Sequence, residues 1–420
     1  MIPDSSLSAL DITSIFLVVT ALLAYLNQRF IKLPSSIGVM IIALILSLAL
    51  IGLDALGIFE SASDMVKSLL DSLDFSELVI QGMLSILLFA AALQVDLSEL
   101  HAYRWPVAAM AIVGTLTSTF VVGIALWWVS PLVGLKLSFL YCMLFGALIS
   151  PTDPIAVMGI LTSAKAPKNL ELVITGESLF NDGVAVVAFV LLFGVLVSGK
   201  LPTVPEIGFA LLREAGGGLV FGLVLGFIVV RLLQSIDEYQ VEVLITLAAV
   251  LGGYALAARL HVSGPLAMVV AGLVVGNHGR ELAMSDVTRH HVDLFWQLLD
   301  HILNAVLFAL LGMEVLVIRF PPGIALAATA AILVTLLARG LTVGMPAAIW
   351  RKAFGLPAGS WKVLTWGALR GGISVALVLS LPSGRERETL LALTYCVVVF
   401  SILVQGMSIG AVVKRSLRGS

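Results

Sequence analysis

Asp153 and Asp182 are the carboxylates of this sequence best placed to do chemistry, because each is embedded in a run of apolar residues. A charge at the centre of a bilayer costs about 2.5–3.5 kcal/mol on insertion scales, and such residues mark ion pathways or proton relays by default. Glu177, Glu314, Arg339 and Arg370 are the other charges of this kind. Asp153 sits in Gly146-Ala-Leu-Ile-Ser-Pro-Thr-Asp-Pro-Ile155. Pro151 and Pro154 remove backbone donors and clash with the preceding turn, which predicts an interrupted helix. Irregular backbone is tolerated at membrane depth only where protein buries it or where it lines a cavity. Unwound carbonyls and half-helix ends are what transporters use to coordinate cations at the midplane. The plainer reading is a proline kink whose polar residues heal freed backbone bonds, but a kink alone does not require an aspartate.

Asp182 sits in Thr175-Gly-Glu-Ser-Leu-Phe-Asn-Asp-Gly183. Glu177 and Asn181 are four apart, as are Ser178 and Asp182, so each pair shares a helical face. The result is a polar stripe of carboxylate, hydroxyl and amide on an otherwise apolar helix. Hard cations take oxygen ligands of this kind. Burial also disfavours the charged form of a carboxylate, so such a group can take a proton as readily as a cation. Competition between the two at one carboxylate is a means of coupled exchange. The plainer alternative is a satisfied structural network, although stability rarely favours so many buried polar groups. The arginines supply counter-charge. Arg339 is the expected fixed partner of Glu177. Arg370, in Trp366-Gly-Ala-Leu-Arg-Gly-Gly-Ile373, either neutralises Asp153 or opposes the ends of broken half-helices, with glycines permitting close backbone approach.

The elements that must hold these residues are membrane helices. Hydrophobic residues make up 60% of the 420 and charged residues 12%, about half the charged share of a soluble domain. The net charge of −2 excludes a nucleic-acid partner, which needs a basic stripe. Cys142 and Cys396 lie inside apolar runs and are read as small buried hydrophobes. Because a span needs about 20 mostly apolar residues, the sequence divides into thirteen. These spans 1 to 13 start near Leu10, Ile37, Leu78, Val107, Phe139, Glu171, Ile207, Val241, Pro265, Leu298, Ile324, Val363 and Leu390. Ser61 to Glu77 mixes acids with leucines and is predicted to lie at the interface. The Lys/Arg bias of the short loops places the amino terminus outside and the carboxyl terminus in the cytoplasm. Trp127, Trp128, Trp350 and Trp361 fall at span ends, as an interfacial belt requires.

The fold expected is therefore an all-α polytopic membrane protein of about thirteen helices in one transporter domain. Spans 5 and 12 both look broken and lie seven spans apart, an odd offset that inverts topology. Interrupted helices at corresponding positions of two halves point to a transporter site. The halves are spans 1–6 (residues 1–197) and spans 8–13 (residues 241–413), with span 7 (207–231) as linker. Span 7 carries Gly218, Gly222 and Gly226 at four-residue spacing, a face for either a dimer contact or internal packing.

Ser150-Pro-Thr-Asp-Pro154, Gly176-Glu-Ser-Leu-Phe-Asn-Asp-Gly183 and Leu369-Arg-Gly-Gly-Ile373 together resemble the cation:proton antiporters of the NhaP/Na+/H+ exchanger branch. His261-Val-Ser-Gly-Pro-Leu-Ala267 and Gly272-Leu-Val-Val-Gly-Asn277 are similar to that family too. The resemblance implies a thirteen-helix inverted repeat and a homodimer through a scaffold that includes spans 1 and 7, with a mobile core moving elevator-fashion. It implies Asp182 as the cation- and proton-binding carboxylate, Asn181 and Ser178 beside it, and backbone oxygen from Thr152. Na+ (or K+ or Li+) would sit at Asp182, Ser178 and Thr152. Asp153 would hold the unwound crossing together with Arg370, and Glu177 would pair with Arg339. The Asn181-Asp182 order is similar to electroneutral members that exchange one cation for one proton. Some relatives carry a glutamate on the third helix where this chain has Ala90. No cofactor is expected beyond the transported Na+ (or K+ or Li+) and H+. The partners are the bilayer and a second copy.

Other readings compete. An intramembrane aspartyl protease needs two carboxylates sharing a proton, which two buried arginines would oppose. A channel or uniporter on the same scaffold would move cation without counter-moving protons. The reading is a transporter and not an enzyme, with no cofactor. His278, His290 and His291 fall on the connection between spans 9 and 10, as pH-sensing or plain solvated residues. Glu314 reads as a snorkelling acid at a helix end. The acids from Asp54 to Glu77 either concentrate cations at the outer mouth or are a solvated connection.

Overall fold

In hydrocarbon each backbone polar group must be satisfied within its own segment, so apolar runs of this length become helices. A computed structural model describes residues 9–57, 78–164, 166–280, 283–321 and 323–417, and among these there is helix and no strand. The interfacial segment Ser61 to Glu77, with most of the acidic connection, lies outside the described residues. All thirteen predicted starts fall on helix.

Nine helices among the described residues are long and apolar enough to cross a membrane. The elements of the membrane layer are α1 (Thr13–Ile31), α2 (Ser35–Ala55), α3 (Leu84–Leu93), α4 (Arg104–Val133), α5 (Phe139–Ile149), α6 (Ile155–Ser163) and α7 (Lys168–Ser198). They continue as α8 (Val204–Leu233), α9 (Tyr239–Leu260), α10 (Gly264–Gly279), α11 (Asp286–Leu316), α12 (Ile324–Ile349), α13 (Ser360–Trp366), α14 (Gly372–Leu379) and α15 (Arg385–Ser416). The spans that fall short are informative. Span 3 is α3 preceded by a π-helical turn, Leu78–Met83. Span 9 is the short α10. Spans 5 and 12 are each split, into α5 and α6 and into α13 and α14.

Boundaries follow polar signals that an apolar window cannot see. Span 10 begins at Asp286, well before Leu298, because Ser285 caps the helix and accepts from the Thr288 N–H at 3.4 Å. His290 and His291 therefore sit on the first turns of α11 and not in a connecting loop, with the Tyr239 ring stacked on His291 at 4.3 Å. Glu314 also departs from expectation. It is buried at 6% exposure where Tyr395 of α15 and Leu44 of α2 close over the end of α11, so it does not snorkel.

Close helix packing depends on missing side chains. A Cβ on Gly146 of α5 would stand 2.2 Å from the Thr119 carbonyl oxygen of α4. Gly218, Gly222 and Gly226 of α8 face α10, where a Cβ on Gly222 would meet the Ala267 carbonyl oxygen at 2.5 Å. That glycine face is used inside the chain. Leu144, Phe145 and Leu148 of α5 are buried with Ala331 and Ala338 of α12 and Leu393 and Val397 of α15. Met40 of α2, Phe89 of α3, Met268 of α10 and Phe308 of α11 belong to a second buried cluster. The first cluster takes in α5 and the end of α14, while α6, α13 and the start of α14 bury their residues in the second, with α2, α3, α8, α10 and α11.

Candidate functional site

Pro151 and Pro154 end α5 and delay α6, leaving Ser150 to Pro154 outside regular helix. On the other side, Gly367 to Gly371 separates α13 from α14. The two gaps cross: the Asp153 N–H donates to the Leu369 carbonyl at 2.8 Å. Helix ends that meet in this way gather backbone dipoles of both signs. Arg370, 2% exposed, answers the carbonyl end of α5 by donating through one guanidinium nitrogen to the carbonyls of Ser150 and Pro151, both at 2.6 Å. Of the two roles open to Arg370 in the sequence, these bonds match the one in which it opposes a half-helix end. Its own N–H donates to Ser401 Oγ at 3.0 Å. Asp153 lies at the start of α14, where a Cβ on Gly371 would stand 2.6 Å from its Oδ2. Glycine is what admits the carboxylate to that helix N-terminus, which favours negative charge.

The polar stripe of α7 lies against this crossing. Thr152 Oγ1 and Ser178 Oγ share a hydrogen bond at 2.9 Å, joining the unwound segment to α7. Asn181 Nδ2 donates to Thr152 Oγ1 and to Glu177 Oε1, both at 2.9 Å, while its Oδ1 accepts from the Thr152 N–H at 3.4 Å. Arg339 makes a two-pronged ion pair with Glu177, at 2.7 and 2.6 Å, and donates a third bond to the Leu364 carbonyl at 3.2 Å. Glu177 and Asn181 are fully buried. Such a pair is stable in a dry interior only because the remaining donors and acceptors are also satisfied.

Asp182 is different. It is 7% exposed, the acids acting on it are Asp153 and Glu177, and among the described residues no hydrogen bond or ion pair fixes its carboxylate. Glu177 has both oxygens engaged by Arg339; Asp182, one turn beyond Ser178, does not. The Thr152 and Ser178 hydroxyls meet at the crossing, and Asp182 follows Ser178 by four residues on the same face of α7. Among the described residues no group of three or more His, Cys, Asp or Glu could hold a metal ion.

A cavity of about 920 Å³ reaches toward this point. Its wall includes Pro154, next to Asp153, and Thr175, three residues before Ser178, together with Asp96, Glu99, Glu171 and Asp300. Ala90 is fully buried on α3, and its carbonyl accepts from Gln94 Nε2 at 3.1 Å, so α3 brings no side-chain oxygen at this position.

Sequence reasoning missed the supports. The carbonyls of Ser150, Pro151 and Leu364 carry no side-chain signature, so nothing in the residue string flags them. Ser401 was visible as a hydroxyl inside the apolar run of span 13. So were Ser118 and Thr119 of α4, whose hydroxyls lie 3.0 and 3.4 Å from Ser150 Oγ.

A polytopic helical fold with two interrupted helices crossing beside a stripe of buried carboxylates defines a secondary transporter and not an enzyme. Residues 18–415 match the family model described as "Sodium/hydrogen exchanger, transmembrane", and the chain belongs to that family. It is 53% identical over 414 residues to the Na+/H+ antiporter NhaP of Pseudomonas aeruginosa, covering 98% of this chain and 97% of that one. With the Na+/H+ antiporter NhaH of Halobacillus dabanensis it shares 34% identity over 396 residues, 92% of this chain and 93% of the other. The fold is similar to that of the sodium proton antiporter MjNhaP1 from Methanocaldococcus jannaschii, with a TM-score of 0.73 at 20% identity over 98% of this chain and 99% of that one.

Proposed function

We propose that this chain exchanges Na+ for H+ across the cell membrane, with the two ions competing for Asp182. The observation that carries the reading is the contrast between two acids five residues apart on α7. Glu177 is locked by Arg339, whereas Asp182 is held by no partner among the described residues and stands beside the Thr152–Ser178 contact. A cation arriving at Asp182 displaces its proton, and a proton arriving displaces the cation. Because one carboxylate serves both, the exchange is one for one. Thr152 and Ser178 supply oxygen to the cation, and Asn181 holds Thr152 in place. Asp153 and Arg370 keep the unwound segments together while the site faces either side of the membrane.

Further readings accompany this one. Residues 1–197 and 241–413 act as inverted repeats about the linker 207–231, with α5/α6 and α13/α14 as the equivalent broken pairs. The amino terminus is outside and the carboxyl terminus cytoplasmic, which puts the cavity beside Lys32 and Lys168 on the inner side. The working unit is a homodimer.

Reconstitution into liposomes carrying a pH gradient tests the reading. Na+ should collapse the gradient in wild type and fail to do so in Asp182→Asn. K+ and Li+ runs alongside report selectivity. Exchange by Asp182→Asn at the wild-type rate would overturn the mechanism, and Na+ flux without proton counter-movement would make the chain a uniporter.

A further inference from the structure

α7 and α8 are consecutive in the chain yet touch only lightly, while α7 packs against α4. The three helices enclose a cleft of about 1070 Å³. Its lining is almost wholly apolar, with Leu116 and Phe120 from α4, Val184 and Ala188 from α7, and Leu211 and Leu219 from α8. Packing that left this much apolar surface open inside a water-soluble protein would be a liability. Here the cleft runs the height of the layer, from His101 and Arg104 at one end to Lys200 and Glu206 at the other.

The ends decide what fills it. Arg104 opens α4, and its described contacts are His101 and the face of Trp105, whose ring centroid is 5.9 Å away. Neither is an anion. Trp105 is 73% exposed, as befits an aromatic at headgroup level. A cation with no carboxylate partner among the described residues, at headgroup depth and at the mouth of an apolar cleft, complements a phosphodiester on hydrocarbon tails. Basic residues at that depth attract anionic lipid.

We infer that the cleft between α4, α7 and α8 holds an anionic phospholipid, its phosphate on Arg104 and its acyl chains along the apolar wall. The occupant differs from boundary lipid in being enclosed on three sides and in having a fixed charge partner. This inference does not depend on the transport mechanism. The lipid would separate α7, which carries Asp182, from α8, and would serve as an exchangeable packing layer between them.

Native mass spectrometry of the full chain, purified in mild detergent and titrated with phosphatidylglycerol or phosphatidylethanolamine, tests it. Wild type should prefer phosphatidylglycerol, and Arg104→Glu should lose at least about fivefold of that preference, the order expected for one basic contact. Ala188→Trp, which fills the cleft at mid-depth, should lower retention of both lipids. Arg104 is a surface residue, so its variant reads out even if the bulkier one fails to fold. Equal binding of the two lipids by wild type, or an unchanged preference in Arg104→Glu, overturns the inference. So does cross-linking that seats a second copy of the chain in the cleft.

Discussion

Glu177 and Asp182 show how neighbours separate two acids of one stripe. The guanidinium of Arg339 meets both oxygens of Glu177, and the Leu364 carbonyl holds the guanidinium's third edge. Breaking a buried pair strands the other charge at a cost of about 3–5 kcal/mol, while replacing both partners with apolar residues is often close to neutral. Arg339→Ala should therefore lower the melting temperature and the yield sharply, and Glu177→Leu/Arg339→Met should recover most of the loss. Equal thermal stability of Arg339→Ala and wild type in detergent would contradict that. Thr152→Val tests the other half of the site. It removes an oxygen that contacts Ser178 and Asn181 while keeping the volume. The KM for Na+ in the liposome assay should rise about tenfold, equivalent to ~1.4 kcal/mol, with kcat changing less because Asp182, the carboxylate proposed to titrate, remains.

At the scale of elements, glycine positions and helix caps give the predictions. Gly222→Ala would drive a Cβ to 2.5 Å from the Ala267 carbonyl, and overpacking of this kind costs about 1–3 kcal/mol. Gly194→Ala on α7 meets nothing within 4 Å and should instead stabilise by about 0.5–1 kcal/mol, since glycine is costly inside a helix. Thermal melts of the two variants should move in opposite directions. The connection before α4 is fixed by Asp96, which caps the short helix Leu97–Ala102 and accepts from the N–H groups of Ser98 and Glu99. The Ser98 hydroxyl, followed by the Ser98 N–H, holds the Asp96 carboxyl below its ordinary value. The stabilisation is thus present above the unfolded carboxyl's pKa of about 4 and is lost as pH falls through the lower folded value. Asp96→Ala should cost at most about 1 kcal/mol at neutral pH. The gap from wild type should close below about pH 4, as pH-dependent melting would record.

At the scale of the molecule, orientation and direction of access are linked. With the carboxyl terminus cytoplasmic, as proposed, a Lys414→Cys variant on a cysteine-free background should resist a membrane-impermeant maleimide in intact cells and react after permeabilisation. Labelling of intact cells would invert the topology proposed here, and would place the cavity lined by Asp96, Glu171 and Asp300 on the outside. The background is accessible because Cys142 is buried and Cys396 half-buried, so neither is expected to bear on packing beyond its volume.

Membrane class, helical content and the break in span 5 could be read from the residue string because each rests on local composition. Apolar runs of sufficient length leave helix as the only way to satisfy the backbone. Two prolines flanking Thr152-Asp153 predict a break whatever surrounds it, and four-residue spacing puts Glu177 with Asn181 and Ser178 with Asp182 on any helix. What composition does not carry is which distant groups meet. That Arg339 reaches Glu177, that Arg370 answers the carbonyls of Ser150 and Pro151, and that Ser401 receives the Arg370 N–H were decided by the crossing of the two broken helices. The start of α11 and the burial of Glu314 were likewise set by capping and by packing against α2 and α15. The glycine face of α8 suited either a second copy or an internal neighbour by sequence, and only the approach of α10 assigned it. Helix formation is a property of neighbours in the chain, whereas a binding site is a property of neighbours in space.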